Sequence, residues 1–280
     1  MYAPYWRLSD TPFTSRVDPR AYVETPAHEE AMARLLYLIE QRRHCGVLLG
    51  ERGSGKSMLF QTLARHLRRT QTTVIAEDLL GLGGLEVAWN IANQLGCPIG
   101  VNSPVPSLWR ALQDGLEGNC SAGRSTIILL DHVDRSAPDC QGILHRLIHS
   151  TLPLAGYVTV LLGLRNDHLA PFLPLLREVS ELRIELGSLN ASETRQYVLG
   201  LLDRVGGREQ LFDPDVWELL HQFSGGNPRE IHRICDLALV AGMSEEASSI
   251  SRRHLELACD DLSSILWDNR RTGLVTTTKY

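Results

Sequence analysis

The sequence predicts an α/β protein: a parallel sheet covered on both faces by helices, followed by a small all-helical segment. Three observations predict it. Short apolar or β-branched runs alternate with amphipathic stretches as far as Leu189, which is the signature of βα units. A glycine cluster separates the first such run from a helical pattern. After Leu189 the strand signal stops and only helix-start signals remain.

The elements follow in chain order. Residues 1–25 are rich in Pro, Tyr and Arg and read as an irregular arm. Over residues 26–43, Ala31, Met32, Leu35, Leu36, Leu38 and Ile39 recur at helical spacing, so a first helix is expected. Residues 45–49 form an apolar run, and a helical pattern covers 56–69 beyond the glycines. Further strands are expected at 73–76, 126–130, 157–162 and 182–186. In the helical part, Asn190 with Glu193, and Asn227-Pro228 with Glu230, match capping boxes. Asp213-Pro214 places an N-cap before a helix-starting proline. The expected division is an arm at 1–25, a core at 26–189, a helical domain at 190–265 and a flexible tail at 266–280.

A chain of 280 residues buries a sizeable core without staples. Against 28 basic side chains stand 33 acidic ones, a net charge of -5 that gives no nucleic-acid or anionic-membrane footprint. The six cysteines (45, 97, 120, 140, 235 and 259) are scattered singly, as free thiols in a reducing compartment are. No apolar run reaches the ~18 residues that span a bilayer, and the first ten residues lack the features of a secretory leader. The expected address is the cytoplasm.

The chemistry lies in Gly50-Glu51-Arg52-Gly53-Ser54-Gly55-Lys56-Ser57, which fits G-x-x-x-x-G-K-[ST] between an expected strand and an expected helix. Glycines let the backbone curl so that consecutive N–H groups point at phosphate oxygens, and the following helix adds the positive end of its dipole. Lys56 then supplies a mobile charge to the β- and γ-phosphates, and the Ser57 hydroxyl ligates Mg²⁺. These eight residues with Met58 are the expected nucleotide-binding set. A glycine turn followed by a surface lysine is the ordinary alternative.

Thr126-Ile127-Ile128-Leu129-Leu130-Asp131 is an apolar strand ending in a carboxylate, as the Walker B strand of a P-loop NTPase must be to bring an acid to the Mg²⁺. Strand-to-turn transitions also end in Asp, but the loop upstream favours Asp131 as the metal-side acid. Next comes His132, where many ATPases with this sheet carry a glutamate that polarises the attacking water. Three outcomes are open: His132 acts as a weaker base, Asp134 takes over the water, or hydrolysis is lost while binding survives. Asp134 could equally cap a helix near Ser136.

With the stretch Phe223-Ser224-Gly225-Gly226-Asn227-Pro228-Arg229-Glu230-Ile231 added, the sequence resembles AAA+ ATPases of the ExeA type, associated with general secretion pathways. Pro12-Phe13, Asp18-Pro19-Arg20 and Pro26-Ala27-His28 look like that group's opening segment, so the resemblance covers residues 5–262. It implies a three-layer αβα core, a small helical lid, ATP with Mg²⁺ between them, an unidentified protein partner and a homo-oligomer. Gly-Asn-Pro-Arg matches the group's Gly-x-Pro-Arg, which carries the role of lid phosphate sensor to Arg229. The local reading agrees: in a helix capped by Asn227 and started by Pro228, Arg229 opposes the dipole, a misfit that a phosphate would relieve. Asn166 is the expected sensor between water and γ-phosphate, with Arg165 and Asp167 as alternatives. Arg177 is either an inter-subunit arginine finger or a solvated helix-end cation.

Two rival functions stand beside the ATPase. One is a nucleotide-dependent switch with little hydrolysis, which His132 favours. The other is a DNA-associated AAA+ regulator such as those that target transposition, which the net charge of -5 disfavours. His145 and His149 are four residues apart on an expected helix, but the sequence offers no third ligand of convincing spacing and they read as a mixed helix face.

Overall fold

The computed structural model describes residues 2–14, 18–19, 22–100 and 102–271. The chain divides into two compact units, one of residues 17–22 and 26–187, the other of residues 1–16, 23–25 and 188–280.

The first unit runs α1 (Pro26–Glu40), β1 (Cys45–Gly50), α2 (Lys56–Leu67), β2 (Thr73–Asp78), α3 (Gly84–Gln94), α4 (Val105–Ser121), β3 (Thr126–Asp131), α5 (Cys140–Thr151), β4 (Val158–Arg165), α6 (Leu173–Val179) and β5 (Leu182–Leu186). Its five strands are all parallel in the order β2-β3-β4-β1-β5. The register sets Gly50 beside Arg165 and Asp78 beside Asp131, so the loops that follow these strands leave from one edge of the sheet. All six residues of β1 and of β3 are buried, as strands covered on both faces must be.

The alternation of side chains along each strand builds two cores. Val47, Leu49, Ile128, Leu130, Val160 and Leu162 pack with α3, α4 and α5 through residues such as Ile91, Leu112 and Leu147. Leu48, Ile127, Leu129 and Leu161 face the other way, against Leu35 and Leu38 of α1 and Leu59 and Leu63 of α2. The expected three-layer αβα architecture is the observed one. All five expected strands are present, but β4 extends three residues further than its apolar run, to Arg165, because a buried ion pair described below satisfies the polar end. The first two helices stop earlier than the pattern suggested, at Glu40 and Leu67.

The second unit holds α7 (Ala191–Asp203), α8 (Val216–Ser224), α9 (Pro228–Ser244) and α10 (Arg252–Arg271). Asn190 and Glu193 form the expected capping box, each side chain bonded to the other's backbone N–H. Two start signals misplace their chemistry. Asn227 caps α9 by accepting from the Arg229 N–H, but its own N–H is taken by the Ser224 carbonyl, and Glu230 turns to Arg233 instead. The third helix start falls at Val216 with Asp215 at the N-cap and no side-chain bond, two residues past the Asp213-Pro214 signal.

The expected arm is part of this unit's core. Tyr2, Ala3, Leu8 and Phe13 are buried with the α7–α10 side chains, Tyr2 donates to Asp236, and the Trp6 indole donates to the Leu239 carbonyl at 3.0 Å. Aromatic residues in an irregular segment thus serve as anchors rather than linker. Of the expected tail, residues 266–271 continue α10 as helix; the remainder lies outside the described residues.

His232 ties the same segment down. Its Nδ1 lies 2.9 Å from the Thr14 carbonyl and its Nε2 lies 2.9 Å from the Tyr197 hydroxyl, a pattern met by a neutral ring that donates to one and accepts from the other. Burial pushes its pKa below the ordinary 6.5, outweighing the opposing pull of the Thr14 carbonyl and Asp236. The unfolded chain therefore binds more protons than the folded one below pH ~6.5, and stability falls as pH falls from there toward the depressed folded value. The urea midpoint is expected to drop between pH 7.5 and 5.5, and His232→Gln is expected to flatten that slope; an unchanged slope in the variant contradicts the assignment.

Candidate functional site

Between β1 and α2 the chain turns through a loop whose path requires glycine. Gly53 has φ 89° and Gly55 φ 101°, the left-handed region in which a side chain is strained. A Cβ at Gly55 would also lie 2.6 Å from Nε2 of His28, a buried residue in the first turn of α1 whose ring meets Tyr22 edge-on at 5.8 Å. Gly55 is the N-cap of α2 and supplies no side-chain cap. The N-terminal end of α2 that follows carries the positive end of the helix dipole, the arrangement that binds an anion.

Lys56 is 7 % exposed. Its Nζ donates to the carbonyls of Gly50 and Glu51, both at 2.9 Å, so the lysine charge is held inside the loop rather than in solvent. Ser54 Oγ is buried with no hydrogen-bond partner among the described residues. An orphaned hydroxyl, a buried cation and a helix N-terminus in one loop fit a polyphosphate. Of the remaining loop residues Glu51 and Arg52 are exposed, and Ser57 is half-buried.

Asp131 ends β3 with its side chain 12 % exposed. Strand β4 lies between β3 and β1, and at the crossing point the chain has Gly163. A Cβ there would sit 2.8 Å from Asp131 Oδ1 and 2.9 Å from Cε2 of Phe60. The missing side chain lets the carboxylate lean over β4 toward α2, the helix that carries Ser57. Asp131 is an oxygen donor of the right chemistry for Mg²⁺, at the same edge of the sheet as the loop.

His132 takes φ 51°, ψ 36°, an uncommon backbone for a residue with a side chain. Its N–H donates to Asp131 Oδ1 at 2.8 Å, and its Nδ1 lies 2.8 Å from Asp78 Oδ1 at the end of β2 and 3.7 Å from Asp131 Oδ2. The imidazole is thus set between two carboxylates. Asp134 has a different occupation. Its side chain is 1 % exposed and accepts from Arg165 Nε at 2.7 Å and from the Arg165 N–H at 3.3 Å. It fastens the end of β4 to the turn after β3 and caps no helix. Asn166 follows as the exposed first residue of a 3₁₀ turn, and Arg177 is exposed in the last turn of α6.

Arg229 belongs to the other unit, exposed in the first turn of α9 directly after the Asn227 cap. The sequence reading missed three contributors. His28 sits in the opening segment already marked and Gly163 two residues before Arg165, but a close approach leaves no local signal. Asp78 was invisible because strand pairing, not spacing, brings it to His132. Among the described residues no cysteine forms a disulfide, and burial pushes the Cys45 thiol, on the strand leading into the loop, up to about 12.

A glycine loop on the carboxyl edge of a β2-β3-β4-β1-β5 parallel sheet, with an acid ending β3 at the same edge, is built as P-loop nucleotide-binding cores are. Residues 39–165 match the AAA domain family. The chain is 28% identical over 271 residues to general secretion pathway protein A of Aeromonas hydrophila, covering 95% of this chain and 49% of that protein; it spans about half the length of the curated relative it matches. Among solved structures, Cdc6p from Pyrobaculum aerophilum superposes with a TM-score of 0.68 at 18% identity, over 86% of this chain and 68% of that one. Drosophila ORC bound to DNA gives 0.71 at 16%, over 92% and 65%. Residues 39–165 therefore carry a match to the AAA domain, and the chain as a whole is similar to general secretion pathway protein A.

Two substitutions test the geometry. Breaking the buried pair by Asp134→Ala is expected to cost about 3 kcal/mol in denaturant titration; a loss of turnover with stability intact would instead make Asp134 a water-positioning group. Gly163→Val is expected to fold but to weaken the Mg²⁺ dependence of nucleotide binding, because its methyls occupy the space the Asp131 carboxylate uses; calorimetry with and without Mg²⁺ checks this.

Proposed function

We propose that the loop from Gly50 to Ser57 binds ATP with Mg²⁺, and that hydrolysis there drives a conformational change or the assembly of a protein partner. The observation that carries this is the buried Lys56 amine, caged by the carbonyls of Gly50 and Glu51 in a loop that only glycine can follow. Ser57 and Asp131 are the donors that would hold Mg²⁺. When bound, the ion supplies positive charge that offsets the phosphate oxygens.

The chain's own residues take these parts. Lys56 brings a cation to the phosphates, and the first-turn amides of α2 bind their oxygens. His132 is the group on the water side: with Nδ1 occupied by Asp78, Nε2 is the ring atom left to orient water. Asn166 is the polar sensor of that water, Arg229 couples the γ-phosphate to the position of the helical unit as a lid, and Arg177 reaches a neighbouring copy in a homo-oligomer. These last three roles rest on the resemblance to the ExeA type.

One observation favours the switch reading, in which ATP binds but is scarcely hydrolysed. Asp134, the only carboxylate just beyond His132 that could replace the glutamate, is spent on Arg165. As to partners, the general secretion pathway named for the Aeromonas relative points to a protein of a secretion assembly, working on the cytoplasmic side where ATP is supplied. A net charge of -5 lends DNA no support. Among the described residues no helix is long and apolar enough to cross a membrane.

Lys56→Ala is expected to retain the fold and lose ATP affinity at least about tenfold, or 1.4 kcal/mol, by calorimetry; undiminished binding refutes the site. Phosphate release separates the two readings. Clear turnover by the wild type rules out the switch, whereas a silent wild type that gains strongly on His132→Glu supports it.

A further inference from the structure

The structure supplies the third ligand that His145 and His149 lack in the sequence. The two histidines lie one turn apart on α5, with ring centroids 4.2 Å apart and an interplanar angle of 36°. Glu178, in the last turn of α6, faces both: His145 Nε2 is 3.4 Å from Oε2 and His149 Nε2 is 3.1 Å from Oε1. The three ligand atoms all lie within 4.8 Å of one another. In a tetrahedral zinc site with bonds of ~2.05 Å, neighbouring donors are ~3.3 Å apart. Each imidazole nitrogen already lies near that distance from one of the two Glu178 oxygens, 3.4 Å from Oε2 and 3.1 Å from Oε1.

A plain ion pair accounts for this less well. His149 Nε2 is buried and makes no hydrogen bond, although a carboxylate oxygen is 3.1 Å away, so the approach lacks the direction a hydrogen bond needs. Two half-exposed imidazoles sharing one carboxylate gain little as ion pairs in water, and two protonated rings this close repel. A cation between the three donors removes both difficulties, because it draws the nitrogen lone pairs toward a common point.

We propose that His145, His149 and Glu178 form a binding site for a divalent transition-metal ion, with Zn²⁺ the best match to two imidazoles and one carboxylate. Three protein ligands leave a fourth position open to a cleft of about 550 Å³, lined in part by His145 and Glu178 themselves. The ion clips α6 to α5. Helix α6 spans seven residues and has Leu175 as its one fully buried side chain, so a metal clip adds a constraint that its packing does not supply. Arg177, on the same turn as Glu178, is held with it. The site is independent of the nucleotide loop and stands or falls separately.

The test uses the full chain, stripped of metal by chelator and titrated with Co²⁺ and with Zn²⁺. The wild type is expected to bind one equivalent of Co²⁺ with the visible absorption of a four-coordinate ion, displaced by Zn²⁺, and to melt at higher temperature with Zn²⁺ in excess. Glu178→Gln and His149→Ala are each expected to weaken Zn²⁺ binding at least about tenfold and to abolish the melting shift. All three side chains lie at the surface, so both variants should fold, and circular dichroism verifies it. A wild type that binds neither ion overturns the proposal. So does unchanged binding in both variants, which would place the metal elsewhere, for example on Cys97, Cys120 or Cys259.

Discussion

A backbone path that only glycine can follow, at Gly53 and Gly55, governs the rest of this structure. With that path the Lys56 amine is drawn under the loop onto two carbonyls, and the first amides of α2 turn the same way. Without it, Lys56 would be one more surface cation. The parallel sheet contributes the second half of the constraint. Because every strand runs the same way, β1 and β3 end at one edge, and the glycine in β4 between them removes the one side chain that would keep Asp131 from leaning toward α2. Each of these features is local in cause, and together they place a buried cation, a helix N-terminus and an acid at the same edge of the sheet.

Around this centre the departures from a standard hydrolytic site are themselves structural. His132 occupies a strained left-handed backbone and is gripped by Asp78, a residue from the strand at the sheet's far edge. Asp134 is buried against Arg165. Strain and buried charge are expensive unless compensated, and here His132 is bonded to Asp78 and Asp134 to Arg165, which ties the turn after β3 to the ends of β2 and β4. Under the proposed function, water-side chemistry takes place there with the His132 imidazole in the place of a carboxylate.

Much of the fold was legible in the sequence, since burial on both faces of a parallel sheet writes itself as short apolar runs and amphipathic helices write themselves at 3.6-residue spacing. The glycine loop before α2 and the strand ending in Asp131 were legible for the same reason: each is a contiguous string whose local conformation depends on near neighbours. What the sequence hid was everything decided by long-range approach. The arm read as irregular is core, because Tyr2, Trp6 and Phe13 find partners more than two hundred residues away. The Asp213-Pro214 start signal lost to Asp215, since a proline tolerated in a helix is equally tolerated in the turn before it. His145 and His149 read as an ordinary helix face until α6 brought Glu178 beside them.

The central claim is that one loop grips a triphosphate through Lys56. A crystal structure with a non-hydrolysable ATP analogue and Mg²⁺ tests it most directly. The account predicts Lys56 Nζ released from the Gly50 and Glu51 carbonyls and bonded to phosphate, with the Ser57 hydroxyl and Asp131 on the ion. Phosphates bound elsewhere, with Lys56 still seated on its two carbonyls, would contradict it.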